Sequence, residues 1–217
     1  MKFIEKCYER CSWKMKTAVL LLLFLLSAIL IQTRWGLHVD YLLTAGIYDG
    51  LHWYIWRSFF VFLSIFGFGS VIGFFYVSII LLVKERNLAA VWYVLFTVVL
   101  QVVVMGLKNF FWRVRPYEVY DSIVAFSTSM LDSFSFPSAH SAMAFFTAYF
   151  LARRFNYDFG RKFMIMGLAA LIALSRVYIG VHYFIDVVAG AAIGLLIGRL
   201  AEYCWCKWVV DRNKMIS

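Results

Sequence analysis

Six stretches of this chain are apolar runs that read as membrane crossings, which take about 17–25 residues as a helix. They run from Trp13 to Thr33, Phe59 to Val83, Leu88 to Leu107, His140 to Leu151, Phe163 to Tyr178 and Tyr183 to Leu200. The fourth is short unless it extends toward Arg153 and Arg154. A backbone surrounded by lipid must satisfy its own hydrogen bonds, so such runs fold as helices. Composition excludes the other outcomes. Of 217 residues, 64% are hydrophobic and 15% charged, against roughly half and about a quarter in a soluble domain. A soluble fold has nowhere to hide that excess, and a disordered chain is polar and charge-rich. The expectation is an all-α polytopic membrane protein of six transmembrane helices, forming a single domain over residues 1–217. The 20% of aromatic residues, with eight Trp and 13 Tyr, suits rings at headgroup level.

Residues 1–16 place Phe3, Ile4, Cys7, Tyr8 and Cys11 on one helical face and Lys2, Lys6 and Arg10 elsewhere. That pattern predicts an interfacial amphipathic helix ahead of the first span. No small-x-small cleavage pattern follows the first apolar run, which is read as a retained helix. With the N-terminus in the cytoplasm, inner segments carry 15 Lys and Arg and outer segments six. The excess of inner cations sets both termini inside. The net charge of +9 therefore reports membrane orientation, not nucleic-acid binding.

On this topology three short clusters reach the outer face together. They are Lys108-Asn-Phe-Phe-Trp-Arg113-Val-Arg115-Pro116, then Phe136-Pro137-Ser138-Ala139-His140-Ser141, then Ser175-Arg176 through His182 to Asp186. Ionisable groups at membrane depth are costly and read as functional by default. Lys108, Arg115 and Arg176 are fixed cations suited to phosphate oxygens, and Arg adds a two-pronged donor. The stretch around Ser138, Ala139 and His140 opens a helix, so its N–H groups and the Ser138 hydroxyl are further phosphate donors. His182 and Asp186 are four apart and share a helix face. A carboxylate there fixes the imidazole tautomer and steadies positive charge on the ring. His140 is placed to protonate a leaving alkoxide. The set reads as phosphoryl transfer to water, with positioning and electrostatics supplying the catalysis. The cations already neutralise the phosphate, so no metal or other cofactor is required.

Taken together, the three clusters resemble the three-part signature of the type 2 phosphatidic acid phosphatase superfamily, over roughly residues 59–200. The six-span pattern is similar to its integral-membrane branch. The resemblance implies His182 as nucleophile through a phospho-histidine, Asp186 as its orienting partner and His140 as general acid. It implies Lys108, Arg115, Arg176 and Ser138 as phosphate binders. Where that signature commonly has Gly, this chain has Ala139.

The substrate is expected to be a lipid phosphate met in the bilayer: undecaprenyl diphosphate, phosphatidic acid or phosphatidylglycerol phosphate. The site would open on the extracytoplasmic side of a plasma membrane, by compactness and the lack of glycosylation sequons a bacterial inner membrane. The alternatives are turnover of soluble phosphate esters and non-catalytic phospholipid binding or transport. Arg113 is read as a headgroup anchor, on the expectation that an extended segment directs it away from Arg115. His38 and His52 are read as packed or interfacial residues, and Glu118, Asp121 and Asp132 as a solvated loop. Cys7, Cys11, Cys204 and Cys206 face the cytoplasm as separate thiols, with a zinc site or acylation as the competing readings. Oligomeric state is not legible.

Overall fold

The computed structural model describes residues 14–50, 54–67, 69–85, 88–125 and 134–216. The described residues form helices joined by turns and short extended segments, with no strand among them. The helices are α1 (Lys14–Leu30), α2 (Arg34–Gly50), α3 (Tyr54–Phe66), α4 (Val71–Glu85), α5 (Leu88–Phe111), α6 (Pro116–Val119), α7 (Ala139–Arg154), α8 (Phe159–Tyr178) and α9 (Phe184–Ile216). The interfacial helix expected over residues 1–16 lies outside the described residues, except that Lys14 to Lys16 open α1.

Among the described residues, each of the six apolar runs lies mostly on helix. By length and composition, the spans starting at Leu88 and at Phe184 are long and apolar enough to cross a membrane singly. Two bent pairs, α1 with α2 and α3 with α4, raise the number to four if each pair is one span. The expected second span is therefore a broken one, bent by 53°. Its break has a packing cause. A Cβ on Gly67 would fall 2.4 Å from the Leu63 carbonyl oxygen, and one on Gly69 would fall 2.5 Å from that of His140. The Ser70 hydroxyl then caps α4, accepting from Gly73 N–H at 3.0 Å.

The connection of about residues 34–58, expected on the outer side and able to fold back against the bilayer, holds α2. This helix leaves α1 at 102°. Thr33 starts it by accepting the Gly36 N–H at 3.0 Å. Its buried residues are Gly36, Asp40, Thr44 and Tyr48, a stripe with four-residue spacing that faces inward. Trp35, Leu42 and Leu43 lie exposed on the same helix.

The centre of the bundle is the pairing of α7 with α9, flanked by α8, α1 and α5. Small residues make that pairing close. A Cβ on Gly190 would lie 2.4 Å from the Ser138 carbonyl oxygen, and one on Gly194 would lie 2.1 Å from that of Ala142. In lipid there is no hydrophobic drive between helices, so backbone proximity and van der Waals packing hold them. Around this seam Tyr93 of α5 is fully buried. Its hydroxyl bonds that of Thr147 at 2.9 Å, and its ring stacks on Phe146 at 5.6 Å. The outer surface is apolar, with Val83, Val102, Phe163 and Met164 widely exposed. Such a surface is stable only against lipid tails.

Candidate active site

Four helix ends meet at one end of the bundle. α5 arrives with Lys108 in its last turn. α7 begins at Ala139, capped by Ser138, whose side-chain oxygen accepts from Ser141 N–H at 3.4 Å. α8 ends with Ser175 and Arg176 in its last turn, and α9 starts at Phe184 with Asp186 in its first turn. The turn between α8 and α9 is tied back to Arg176, whose carbonyl accepts the N–H groups of Val181 and His182, both at 3.2 Å. All eight residues singled out from sequence lie on these ends or the segments that join them.

Asp186 organises the centre. It is fully buried, and its Oδ2 accepts from Tyr183 N–H at 3.0 Å, a capping-box bond that closes the first turn of α9. The same oxygen accepts the Ser135 hydroxyl proton and faces His182 Nδ1 at 3.5 Å. Ser135 Oγ also lies 3.4 Å from that nitrogen. Oδ1 is held by Arg113 Nη1 at 2.6 Å. With Nδ1–H turned to this acidic side, the lone pair of the ring is on Nε2.

His182 sits on the turn between α8 and α9, outside both helices. Burial is the main influence pushing its imidazole down, to about 3; the hydrogen bond to Asp186 opposes this, while Arg115 and Lys108 add to it. The ring is therefore neutral near pH 7, as a nucleophilic nitrogen must be.

The cations are almost as buried as the carboxylate. Lys108, Arg115 and Arg176 are each under 10% exposed. Lys108 Nζ donates to the Phe134 carbonyl, Arg115 Nη1 to that of Val181 at 2.8 Å, and Arg176 Nη1 to Ser64 Oγ. Arg176 Nε is buried with no hydrogen-bond partner among the described residues. His140, half-buried at the start of α7, shares its electrostatic surroundings with Arg176, His182, Lys108 and Arg115. Two imidazoles and three cations thus converge. The Ser138 N–H is committed to the Asp186 carbonyl at 3.0 Å, so among predicted backbone donors only Ala139 and His140 remain in the helix's first turn. Ala139 is half-buried there.

Arg113 differs from expectation. It is buried and bridges Asp186 and Asp40, reaching the latter at 2.8 Å. In an extended segment, side chains two apart share a face. Accordingly Arg113 and Arg115 both turn inward while Val114, between them, is exposed. Asp40, Thr44, Ser64 and Ser135 also escaped the sequence reading. Asp40 and Thr44 accept the N–H groups of Ile185 at 2.8 Å and Phe184 at 3.1 Å, capping α9 from α2. The one available signal was their spacing with Gly36 and Tyr48. Among the described residues no group of three or more His, Cys, Asp and Glu side chains is arranged to hold a metal ion. Cys204 and Cys206 are half-buried and not in a disulfide, and two positions apart on α9 they diverge around the helix. Cys7 and Cys11 lie outside the described residues.

An all-helical integral membrane protein with a buried histidine–carboxylate pair beside a cluster of cations is a narrow class. The chain belongs to the PAP2 superfamily, whose family model matches residues 89–210, more than half its length. It is 41% identical over 78 residues to the phosphatidylglycerophosphatase B of Bacillus subtilis, covering 32% of this chain and 38% of that one. It is 32% identical over 109 residues to the lipid A 4'-phosphatase of Porphyromonas gingivalis, covering 47% and 46%. The matches thus span less than half the length of these relatives. In structure it is similar to the transmembrane PAP2-type phosphatidylglycerolphosphate phosphatase of Bacillus subtilis. The TM-score is 0.71 at 25% identity, over 86% of this chain and 94% of that one. It is also similar to LpxE of Aquifex aeolicus, with a TM-score of 0.65 at 29% identity over 73% and 92%.

Proposed function

We propose that this protein is a membrane phosphatase that hydrolyses a lipid phosphate through a phospho-histidine at His182. The observation that carries the reading is the convergence of Lys108, Arg115, Arg176 and His140 on the His182–Asp186 pair. The cations take the phosphate oxygens, and the unpartnered Arg176 Nε is a donor that such an oxygen satisfies. His182 Nε2 attacks phosphorus in line, forming an N–P bond as the bond from phosphorus to the leaving-group oxygen breaks. His140 gives its proton to the departing oxygen, an alkoxide from a phosphomonoester or a phosphate from a diphosphate. Water, giving a proton to His140, then cleaves the N–P bond, releasing inorganic phosphate and restoring the neutral His182 ring, while Asp186 steadies the charge that ring carries in between. Ser138 and the first N–H groups of α7, from Ala139 and His140, add donors to the same oxygens.

The substrate is proposed to be phosphatidylglycerol phosphate, phosphatidic acid or undecaprenyl diphosphate. The names of the relatives favour phosphomonoester lipids. The chain acts as one membrane-embedded domain of six spans, counting each of the α1 and α3–α4 regions as one. The inner-cation excess puts both termini in the cytoplasm and the site at the outer headgroup layer of a bacterial inner membrane. A lipid reaches it sideways while water arrives from outside.

The test is a phosphate-release panel on purified protein with these lipids, a lipid A phosphate and a short-chain soluble ester, with His182→Ala as control. Release from one lipid that vanishes in His182→Ala is expected. Equal turnover of the soluble ester would refute lipid specificity, and full activity in His182→Ala would refute the mechanism.

A further inference from the structure

We propose that Asp40 is a positioning residue for the His182–Asp186 pair, acting through Arg113 from a helix that carries none of the three motifs. The inference rests on the catalytic reading of His182 and Asp186. Asp40 and Asp186 are both fully buried, and Arg113 between them is nearly so. The guanidinium gives one nitrogen to each carboxylate: Nη1 to Asp186 Oδ1 at 2.6 Å and Nη2 to Asp40 Oδ2 at 2.8 Å. The Tyr183 ring covers the guanidinium face, with Cζ 3.9 Å from its centroid.

This division matters because an Arg that meets a single carboxylate prefers to grip both of its oxygens. Were Arg113 to grip Asp186 that way, Oδ2 would be drawn from His182 Nδ1 and Ser135. By taking Nη2, Asp40 keeps the grip on Asp186 one-pronged and leaves Oδ2 to the imidazole. Asp40 also fixes the height of Asp186 along the chain, since its other oxygen accepts the N–H of the preceding residue, Ile185, at 2.8 Å. α2 thereby joins the active site as the element that sets the orientation of the nucleophile.

Asp40→Asn separates the two roles. The amide oxygen still caps Ile185, but the charge that holds Nη2 is gone. The expected result is a fall in kcat on the order of tenfold to a hundredfold, that is about 1.4–2.7 kcal/mol of lost transition-state stabilisation, with KM within twofold. Asp49→Asn, an exposed acid on the same helix, is expected to leave kcat unchanged. In an Arg113→Met background, Asp40→Asn is expected to add no further loss, as coupled residues are non-additive. Protein labelled with 15N-histidine supplies a readout independent of turnover. The His182 Nδ1 and its proton are expected to shift in Asp40→Asn and stay fixed in Asp49→Asn.

Wild-type kcat in Asp40→Asn, an unmoved His182 signal, or the full loss repeated in the Arg113→Met background would each overturn the inference. Wild-type protein silent on every lipid would instead overturn the proposed function, and the ring signals would still decide the role of Asp40.

Discussion

Gly190 lies so close to Ser138 that a Cβ on it would sit 2.4 Å from the Ser138 carbonyl oxygen. One turn earlier on the same helix, the Asp186 carbonyl accepts the Ser138 N–H at 3.0 Å. The two contacts set the register between the helix that carries Asp186 and the helix that carries His140. Substituting Gly190 with Ala drives a methyl into backbone, which has no easy way to yield. Overpacking of this kind costs about 1–3 kcal/mol, and here the displaced groups belong to the site. Gly190→Ala is expected to lower both melting temperature and kcat, the latter at least about tenfold. The nearest atoms to the new methyl in Gly198→Ala belong to the Tyr149 side chain, at 2.8 Å, and a side chain moves more cheaply than backbone, so its kcat is expected to stay near wild type. Kinetics and thermal unfolding in detergent compare the pair; equal effects would show that register at Ser138 is not what matters.

Ser64 reaches the site from α3, just before the break at Gly67, and accepts from Arg176 Nη1. A hydrogen bond to a charged group is worth about 1.5–3 kcal/mol. Removing this one frees the guanidinium to turn away from the position in which the proposed mechanism uses it. Ser64→Ala is expected to reduce kcat/KM roughly tenfold, with Ser64→Thr retaining most of the activity because the hydroxyl is kept. Measured kcat/KM for Ser64→Ala indistinguishable from wild type would mean that Arg176 is held by other contacts.

Burial, reinforced by Arg115 and Lys108, pushes the His182 imidazole down to about 3 although Asp186 opposes it. The sign follows from linkage. In the unfolded chain the ring protonates near its ordinary value of about 6.5, so below that pH the unfolded state binds a proton that the folded state refuses. Stability is expected to be undiminished by this group above about 6.5 and to decline as pH falls toward 3. The ring itself is expected to remain neutral from pH 7 down to about pH 4.5 in the folded protein. Histidine 15N shifts followed through a pH titration check this directly; a His182 midpoint near 6.5 would contradict it.

What sequence made visible here was what acts over short range along the chain. The apolar runs located the helices, and the three clusters located Lys108, Arg115, Ser138, His140, Arg176, His182 and Asp186, because each cluster keeps its spacing within one turn or helix end. What stayed hidden depends on contacts between distant segments. Asp40 and Ile185 are 145 positions apart and Ser64 and Arg176 are 112 apart, and no local pattern announces such pairs. α2 escaped because its polar residues read as loop, although Gly36, Asp40, Thr44 and Tyr48 recur every four positions. Arg113 was misplaced through the geometry of an extended segment, in which it shares its face with Arg115. The break at Gly67 was missed because hydropathy averages over it.

At the far end of the α7–α9 pair, Glu202 closes the seam. It accepts from the Tyr149 hydroxyl at 2.6 Å and from Arg153 Nε, also at 2.6 Å. Glu202 follows Asp186 by 16 residues on one helix, a rise of about 24 Å, so it cannot touch the chemistry. All three side chains are only half-buried, which keeps their mutual attraction moderate. Even so, Glu202→Ala strips the acceptor from two donors at once. It is expected to cost about 2 kcal/mol of stability, seen as a lower melting temperature in detergent, while kcat per folded molecule stays within about twofold. A large fall in kcat at unchanged melting temperature would show that the two ends of the bundle are coupled through α9 more tightly than its packing implies.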